Sequence, residues 1–369
     1  MKNGNRLNNS SRHRDHEKGI VLVIVIIIIA TLMILVTDLI YFTQIDTEIS
    51  SNTRDEIKAR YIAKSGVHVA AGALKERPLE ELTQITAAFS GQTGSSDGFW
   101  SLNVPFFPVG EGNVSVIVTD ERSKINLNSL VGRSTNKVDQ QVLTELNELF
   151  RYLEVDGSKS ARFIASLINW LDAPLEGAEN DQDSDGANGA FYSSLENPYR
   201  IKDGPLDTLQ EIRMIDGMDD EFYNQIKDYV TVYPHDKKIN FSTASKKVIM
   251  AAVKGSSVPA IKGQGNPPEV VDDDVAEQIA DQIIEARKDT PIINQQKARE
   301  IAKNVDSTSA ISAGLVGVTL GSGESEIFSV KSVGSLGEES PTKRIIEAVL
   351  KKTKRDNEVI VDIVTWKEL

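Results

Sequence analysis

Asp181, Asp183 and Asp185, followed by Gly186, are the densest chemistry in this sequence. Carboxylates at alternate positions of a tight loop converge on one cation, and a glycine at the sixth position permits the sharp turn they need. This is the front half of an EF-hand loop. The twelfth position is Tyr192, where the full motif has a bidentate Glu, and the flanking segments lack EF-hand patterning. The expectation is therefore a cation loop of another kind. Asp181, Asp183, Asp185, Asn188 and a backbone carbonyl near Ala187 supply hard oxygen donors, Glu179 adds a carboxylate, and Glu176 or Glu196 could complete the shell. Such ligands suit Ca²⁺. The competing reading is a solvated acidic loop with Asp and Asn in turn roles.

The second chemical feature is a bond to be cut. Lys18-Gly19 stands directly before an uninterrupted apolar run, Ile20 to Val36. Glycine fits an extended backbone into a tight site, so Gly19-Ile20 is a candidate cleavage point. A secretory signal would instead end in a small-residue site after the apolar core. The run is 17 residues long, at the low end of the roughly 17–25 that cross a bilayer as a helix. Lys2, Arg6, Arg12, Arg14 and Lys18 precede it, which holds the leader in the cytoplasm and places the bulk of the chain on the other side.

Catalysis finds little support. Two of the four histidines, His13 and His16, lie in the leader, and neither His68 nor His235 has a G-x-S-x-G elbow nearby. With no cysteine there is no disulfide, thiolate nucleophile or Cys-ligated zinc. The net charge of −13 argues against nucleic acid and anionic lipid as partners and for cations.

The elements that must position these groups begin with a helix. From Thr37 to Glu76 there is no proline, and Phe42, Ile45, Ile49, Ile57, Tyr61, Ala63, Val67, Ala70, Ala71 and Leu74 recur largely at helical spacing. The spacing predicts one helix over Ile20 to Glu76, stopped by Pro78. Val114, Val116 and Val118 alternate after a Gly110/Gly112 turn, and Ile125, Leu127 and Leu130 follow, so Phe99 to Leu130 reads as strands. Val138 to about Asp306 is helical, broken by the acidic loop. Ile327–Val333, Ile345–Leu350 and Val359–Trp366 read as β, though the middle segment fits a helix equally well. Gly263–Pro268 and Gly314–Gly323 read as loops. A helical block inside a β frame suggests an insertion.

Leu209 to Met218 followed by Phe222 and Ile226 reads as helix, glycine hairpin, helix, and Lys238–Ala244 opens another helix that Ser242 or Thr243 could cap. Both resemble helix-hairpin-helix modules that bind DNA phosphates. From Asp203 to Asn240, however, nine acids face four Lys/Arg, where phosphate contacts need the opposite. A membrane-anchored DNA-uptake protein of the competence type is thus the second reading, and a calcium-dependent surface enzyme a distant third.

Taken in order, the motifs resemble the type II secretion system minor pseudopilin K family (general secretion pathway protein K). These are Lys18-Gly19 before Ile20, Ala59–Val67, Asp120–Asn128, Asn169–Asp172, the acidic loop, Asn197-Pro198-Tyr199, Pro205 to Gly217, Ile239–Ala244 and Thr365–Glu368. With Ile20 as first residue the fifth is Ile24, where major pilins carry Glu; an apolar residue there suits a subunit with none above it. Gly255 to Asp272 is longer and more polar than the family pattern. The resemblance implies an α+β, pilin-like fold, a long N-terminal helix packed on an antiparallel sheet, with a large inserted α-helical domain. It implies these parts: leader 1–19; transmembrane and continuing helix 20–76; first β region 77–135; helical insertion 136–310; second β region 311–369. It further implies cleavage by the prepilin peptidase, calcium in the helical domain, residence in the inner membrane, and a hetero-oligomeric tip with minor pseudopilins I and J, without nucleic acid.

Overall fold

The computed structural model describes residues 12–78, 81–82, 101–171, 191–234, 236–259, 271–307, 309–337, 341–355 and 358–369. Helix α1 runs unbroken over Arg12–Glu76, 65 residues, or on the order of 95 Å at ~1.5 Å per residue. It starts eight residues before the expected Ile20, because Arg12 to Gly19 holds no proline and one glycine does not break an established helix. Pro78 ends it as expected.

Five strands form one antiparallel sheet: β1 (Ser101–Val109), β2 (Gly112–Asp120), β5 (Ile327–Leu336), β6 (Thr342–Arg355) and β7 (Glu358–Glu368). They stand side by side in the order β1-β2-β5-β6-β7. The Val114/Val116/Val118 alternation puts one face of β2 under α1, where Phe328, Val330, Ile346, Ala348 and Leu350 join it. Strand β6 resolves the ambiguity at Arg344–Leu350: its alternate residues Ile346, Ala348 and Leu350 are buried while those between are not. Burial in a sheet with period two outweighs the helical alternative.

The α1 face on the sheet is Ala59, Ala63, Val67, Ala70 and Leu74. Ile57 and Tyr61, read as part of the same stripe, point away and are exposed. Small residues let helix and sheet touch backbone to backbone. A Cβ on Gly334 would collide with the Ala59 carbonyl, and one on Gly66 with the Ser332 hydroxyl. Ion pairs fix the membrane-proximal end, Lys58 with Glu111 and Glu56 with Arg344.

The helical domain is spliced between the end of β2 and the start of β5. It comprises α2 (Gln140–Tyr152), α3 (Gly157–Leu171), α4 (Asp220–Ile226), α5 (Lys246–Ser256), α6 (Asp273–Asp289), α7 (Gln295–Val305) and α8 (Ser309–Val318). A two-residue parallel ladder, β3 (Ile125–Asn126) with β4 (Val230–Thr231), sits among them. Its boundaries are wider than 136–310. Ile125, Leu127, Leu130 and Val131 on one side, and Ile311, Leu315 and Val318 on the other, bury into the helical core. Leu127 to Ser129 is a 3₁₀ turn, not strand. The expected loop at Gly314 is helix as well, since Gly314 presses on the Ser256 backbone of α5. Gly263–Pro268 lies outside the described residues. Phe150, Phe163 and Phe222 interlock at the centre with ring centroids 5.2–6.2 Å apart, a geometry worth about 0.5–1.5 kcal/mol per pair beyond area burial.

Candidate anchor, junction and cation sites

The anchor stands apart from the packed protein. Ile20 to Val36 and on through Phe42 present exposed Ile, Leu, Val and Phe side chains, and the helix is long and apolar enough to cross a membrane. In water such a surface is costly at about 25 cal/mol per Å²; in hydrocarbon it is satisfied. Ile24, half-exposed on this helix, brings no charge into it. Gly19 and Ile20 lie within α1, and a Cβ on Gly19 would meet nothing within 4 Å. The fold itself does not require glycine there.

At the opposite end of α1 the helical domain is welded to the sheet by a buried polar hub. Asp120, the last residue of β2, is fully buried. Its Oδ2 accepts from Thr243 Oγ1 (2.5 Å), Ser325 Oγ (2.6 Å) and Asn240 Nδ2 (2.9 Å). Its Oδ1 accepts from the Arg122 backbone N–H at 2.8 Å. Burial pushes its carboxyl above the ordinary value, and the four hydrogen bonds offset part of that. Arg122 then forks to Asp236 (2.7 and 2.8 Å) and to Glu326 (2.9 Å from Nε). Burial opposes its charge, but Asp236 and Glu326 outweigh this and raise its pKa. Neighbouring Glu121 is buried too. Desolvation disfavours its charge, yet Lys124 at 2.8 Å and the Thr231 and Ser329 hydroxyls hold it below the usual range.

The asparagine turn after β2 does similar work. Asn128 Nδ2 donates to the Leu206 and Val232 carbonyls, both at 2.9 Å, and its Oδ1 accepts from Leu206 N–H at 2.7 Å. Three backbone groups on two distant segments are thereby satisfied by one side chain.

These tertiary demands correct the capping expectation. Ser242 is occupied by the Gly323 carbonyl and Ile293 N–H, each at 2.9 Å, and Thr243 by Asp120. Ser245 caps α5 instead, accepting from Val248 N–H at 3.4 Å.

The hairpin expected at Leu209–Met218 is a 3₁₀ turn, Leu209–Met214, leading into the short α4. Gly217 has φ +91°, and a Cβ there would lie 2.7 Å from Phe163 N. Its Cα is therefore packed directly against the α3 backbone. His68 is exposed, with its ring centroid 6.4 Å from that of Trp366; His235 lies outside the described residues. No group of three or more His, Cys, Asp or Glu is placed to hold a metal among the described residues.

Glu179, Asp181, Asp183, Asp185 and Asn188, with Glu176, lie outside the described residues; Glu196 is described and exposed. The segments bounding the loop are well held. Trp170 near the end of α3 packs on Tyr192 at 5.8 Å and Tyr199 at 6.4 Å between centroids. The Tyr192 hydroxyl also accepts from Asp216 N–H at 3.1 Å. The loop thus begins and ends at one aromatic cluster.

Sequence reasoning did not find Asp120, Arg122, Asp236 and Glu326 as a set. The local signal was an Asp-Glu-Arg run at the end of an apolar strand. Glu145 was also missed, although it falls on the Val142/Leu146/Leu149 stripe of α2.

Residues 123–235 match the family model of type II secretion system protein K. Type II secretion system protein K of Klebsiella pneumoniae is 24% identical over 248 residues, covering 66% of this chain and 71% of that one. The protein of the same name from Pectobacterium carotovorum subsp. carotovorum is 24% identical over 246 residues, covering 63% and 68%. Among solved structures, the GspK-GspI-GspJ complex of the type 2 secretion system of enterotoxigenic Escherichia coli contains a similar fold. The TM-score is 0.52 at 17% identity, over 88% of this chain and 98% of that one.

Proposed function

We propose, from the chain's membership of the type II secretion system protein K family, that it is a minor pseudopilin capping the tip of a pseudopilus. There it would assemble with minor pseudopilins I and J and help to initiate or limit pseudopilus growth during protein export. The observation that carries this is where the insertion sits. Its entry at Asp120 and exit before Ile327 lie at the end of the sheet reached by the α1 C-terminus, where Lys352 Nζ meets the Arg77 carbonyl and Phe328 lies near Leu74. The membrane segment is at the other end of the same helix. The bulk of the helical domain therefore occupies the face on which a further subunit would stack, and the apolar Ile24 offers no carboxylate to a subunit above it.

In this reading the protein is structural and not an enzyme, the helical hairpin-like segments are packing elements, and the body lies in the periplasm with α1 held in the inner membrane. The prepilin peptidase would cut between Gly19 and Ile20. Affinity-tagged full-length protein solubilised from membranes is expected to bring down two pilin-like proteins in equimolar amounts. Recovery of a homopolymer, or of the protein alone, contradicts the proposal.

Calcium belongs to the same reading. The donors at Glu179, Asp181, Asp183, Asp185 and Asn188 are hard oxygens, which fit Ca²⁺, and the described residues on either side of them meet at Trp170 and Tyr192. When bound, the ion would neutralise carboxylates that otherwise repel one another. Binding to the folded state alone adds RT ln(1 + [Ca²⁺]/Kd), about 2.7 kcal/mol at a hundredfold excess over Kd. Chelation is expected to lower the melting temperature, and Asp183→Ala with Asp185→Ala to remove most of that response. Mg²⁺ should substitute poorly, because its compact octahedral shell is hard for a crowded loop to supply. Identical melting curves in chelator and in millimolar calcium would show a plain acidic turn.

A further inference from the structure

Glu145 is 1% exposed on the core side of α2, and among the described residues neither carboxyl oxygen has a hydrogen-bond partner. A buried polar group left unpaired is rare and costs about 1–3 kcal/mol, more if charged. The site leaves little room. A Cβ on Gly255 of α5 would lie 2.5 Å from Glu145 Cγ and 2.9 Å from the Gln141 carbonyl, so the α5 backbone rests directly on this side chain. Helix α8 comes close by through Gly317, where an added Cβ would lie 3.5 Å from Gln141 Oε1, and it carries no titratable residue.

The charges facing Glu145 are few. Lys237 acts on it favourably and Asp139 unfavourably. Lys237 is already engaged, with Nζ 2.7 Å from Asp139 Oδ2 and 2.6 Å from Gln141 Oε1. Asp139 in turn caps α2, accepting from Gln141 and Val142 N–H. Of the three α5 lysines, Lys246 pairs with Glu277 and Asp281 and Lys254 with Asp273, while Lys247 is half-buried at the first turn of the helix.

We propose that Glu145 is a proton-operated latch on the helical domain. Neutral, it lets α5 lie flush on α2; ionised, it competes with Asp139 and Gln141 for Lys237 and loosens the start of α2. Burial holds its carboxyl well above the ordinary range. A group whose pKa is higher folded than unfolded binds more protons in the folded state. Its stabilising contribution is complete below about pH 4.3, the unfolded value, and falls away as pH rises to the folded value.

The test compares full-length protein, Glu145→Gln and Lys237→Met in detergent from about pH 5 to about pH 8. The wild-type melting temperature is expected to fall by several degrees relative to Glu145→Gln as pH rises. Infrared spectra should show a carboxyl in the wild type that stays protonated above the pH at which exposed glutamates ionise, and its titration should move upward in Lys237→Met, which lacks the opposing cation. That infrared shift decides the matter even if Glu145→Gln fails to fold. Parallel melting curves for wild type and Glu145→Gln, or a carboxyl titration unmoved by Lys237→Met, overturn the proposal.

Discussion

Asp120→Ala is expected to destabilise the folded protein by about 3–5 kcal/mol, since each buried donor left without an acceptor costs about 1–3 kcal/mol. The reason lies in what the truncation leaves behind. Asn240 Nδ2, Ser325 Oγ, Thr243 Oγ1 and the Arg122 N–H all donate to this carboxylate. Thr243 has a fallback in the Asn240 carbonyl at 3.3 Å and Asn240 Nδ2 one in the Ser325 hydroxyl at 3.0 Å; Ser325 Oγ and the Arg122 N–H lose a buried acceptor. Asp120→Asn should cost roughly half as much, because one amide oxygen can still serve the three donors at Oδ2 while its NH₂ faces the Arg122 N–H. Urea denaturation monitored by circular dichroism gives both values. An alanine variant within about 1 kcal/mol of wild type would mean that the junction is held by apolar packing and not by this hub.

Gly19→Val is expected to leave the precursor uncut without touching the stability of the folded body. Among the described residues nothing lies within 4 Å of a Cβ at this position, so the substitution is silent for the packing of the folded body and its effect is read at the cleavage step. A clash of about 3 kcal/mol in a site shaped for glycine slows cleavage roughly a hundredfold; Gly19→Ala should slow it less. The continuous helix through Gly19 and Ile20 adds a requirement. An extended substrate must first unwind there, and glycine makes unwinding easier by about 1 kcal/mol relative to alanine. Mass spectrometry of membrane-extracted protein should show mature chain beginning at Ile20. Equal processing of wild type and Gly19→Val, or an intact leader in the wild type, would remove the cleavage assignment.

What could be read in the sequence were features written in local periodicity. Val114, Val116 and Val118 announce a half-buried strand because side chains alternate across a sheet, and the absence of proline from Thr37 to Glu76 announces the helix. Tyr61 and Ile57 misled because apolar spacing alone does not say which side of a helix meets the sheet; the small residues Ala59, Ala63 and Gly66 mark that side. Ser242 and Thr243 look like caps until their hydroxyls are claimed by Gly323, Ile293 and Asp120, partners up to 123 positions away. The junction hub draws on residues 120, 122, 236, 240, 243, 325 and 326, and no periodic pattern links positions so far apart. Glu145 was legible in principle as a lone charge on an apolar stripe, but its lack of a partner is visible only in three dimensions.

The glycine-keyed contact between α1 and the sheet has a mechanical consequence. Where Gly334 meets the Ala59 carbonyl and Gly66 meets Ser332, helix and sheet interlock like a key in a slot. To slide by one turn, ~5.4 Å, the helix would have to lift off the sheet, since larger neighbours along β2 and β5 stand in its path. Thrust applied along the membrane end of α1 would therefore pass into the sheet without slip, and from β2 through Asp120 into the distal domain, with helix, sheet and head loaded as one piece.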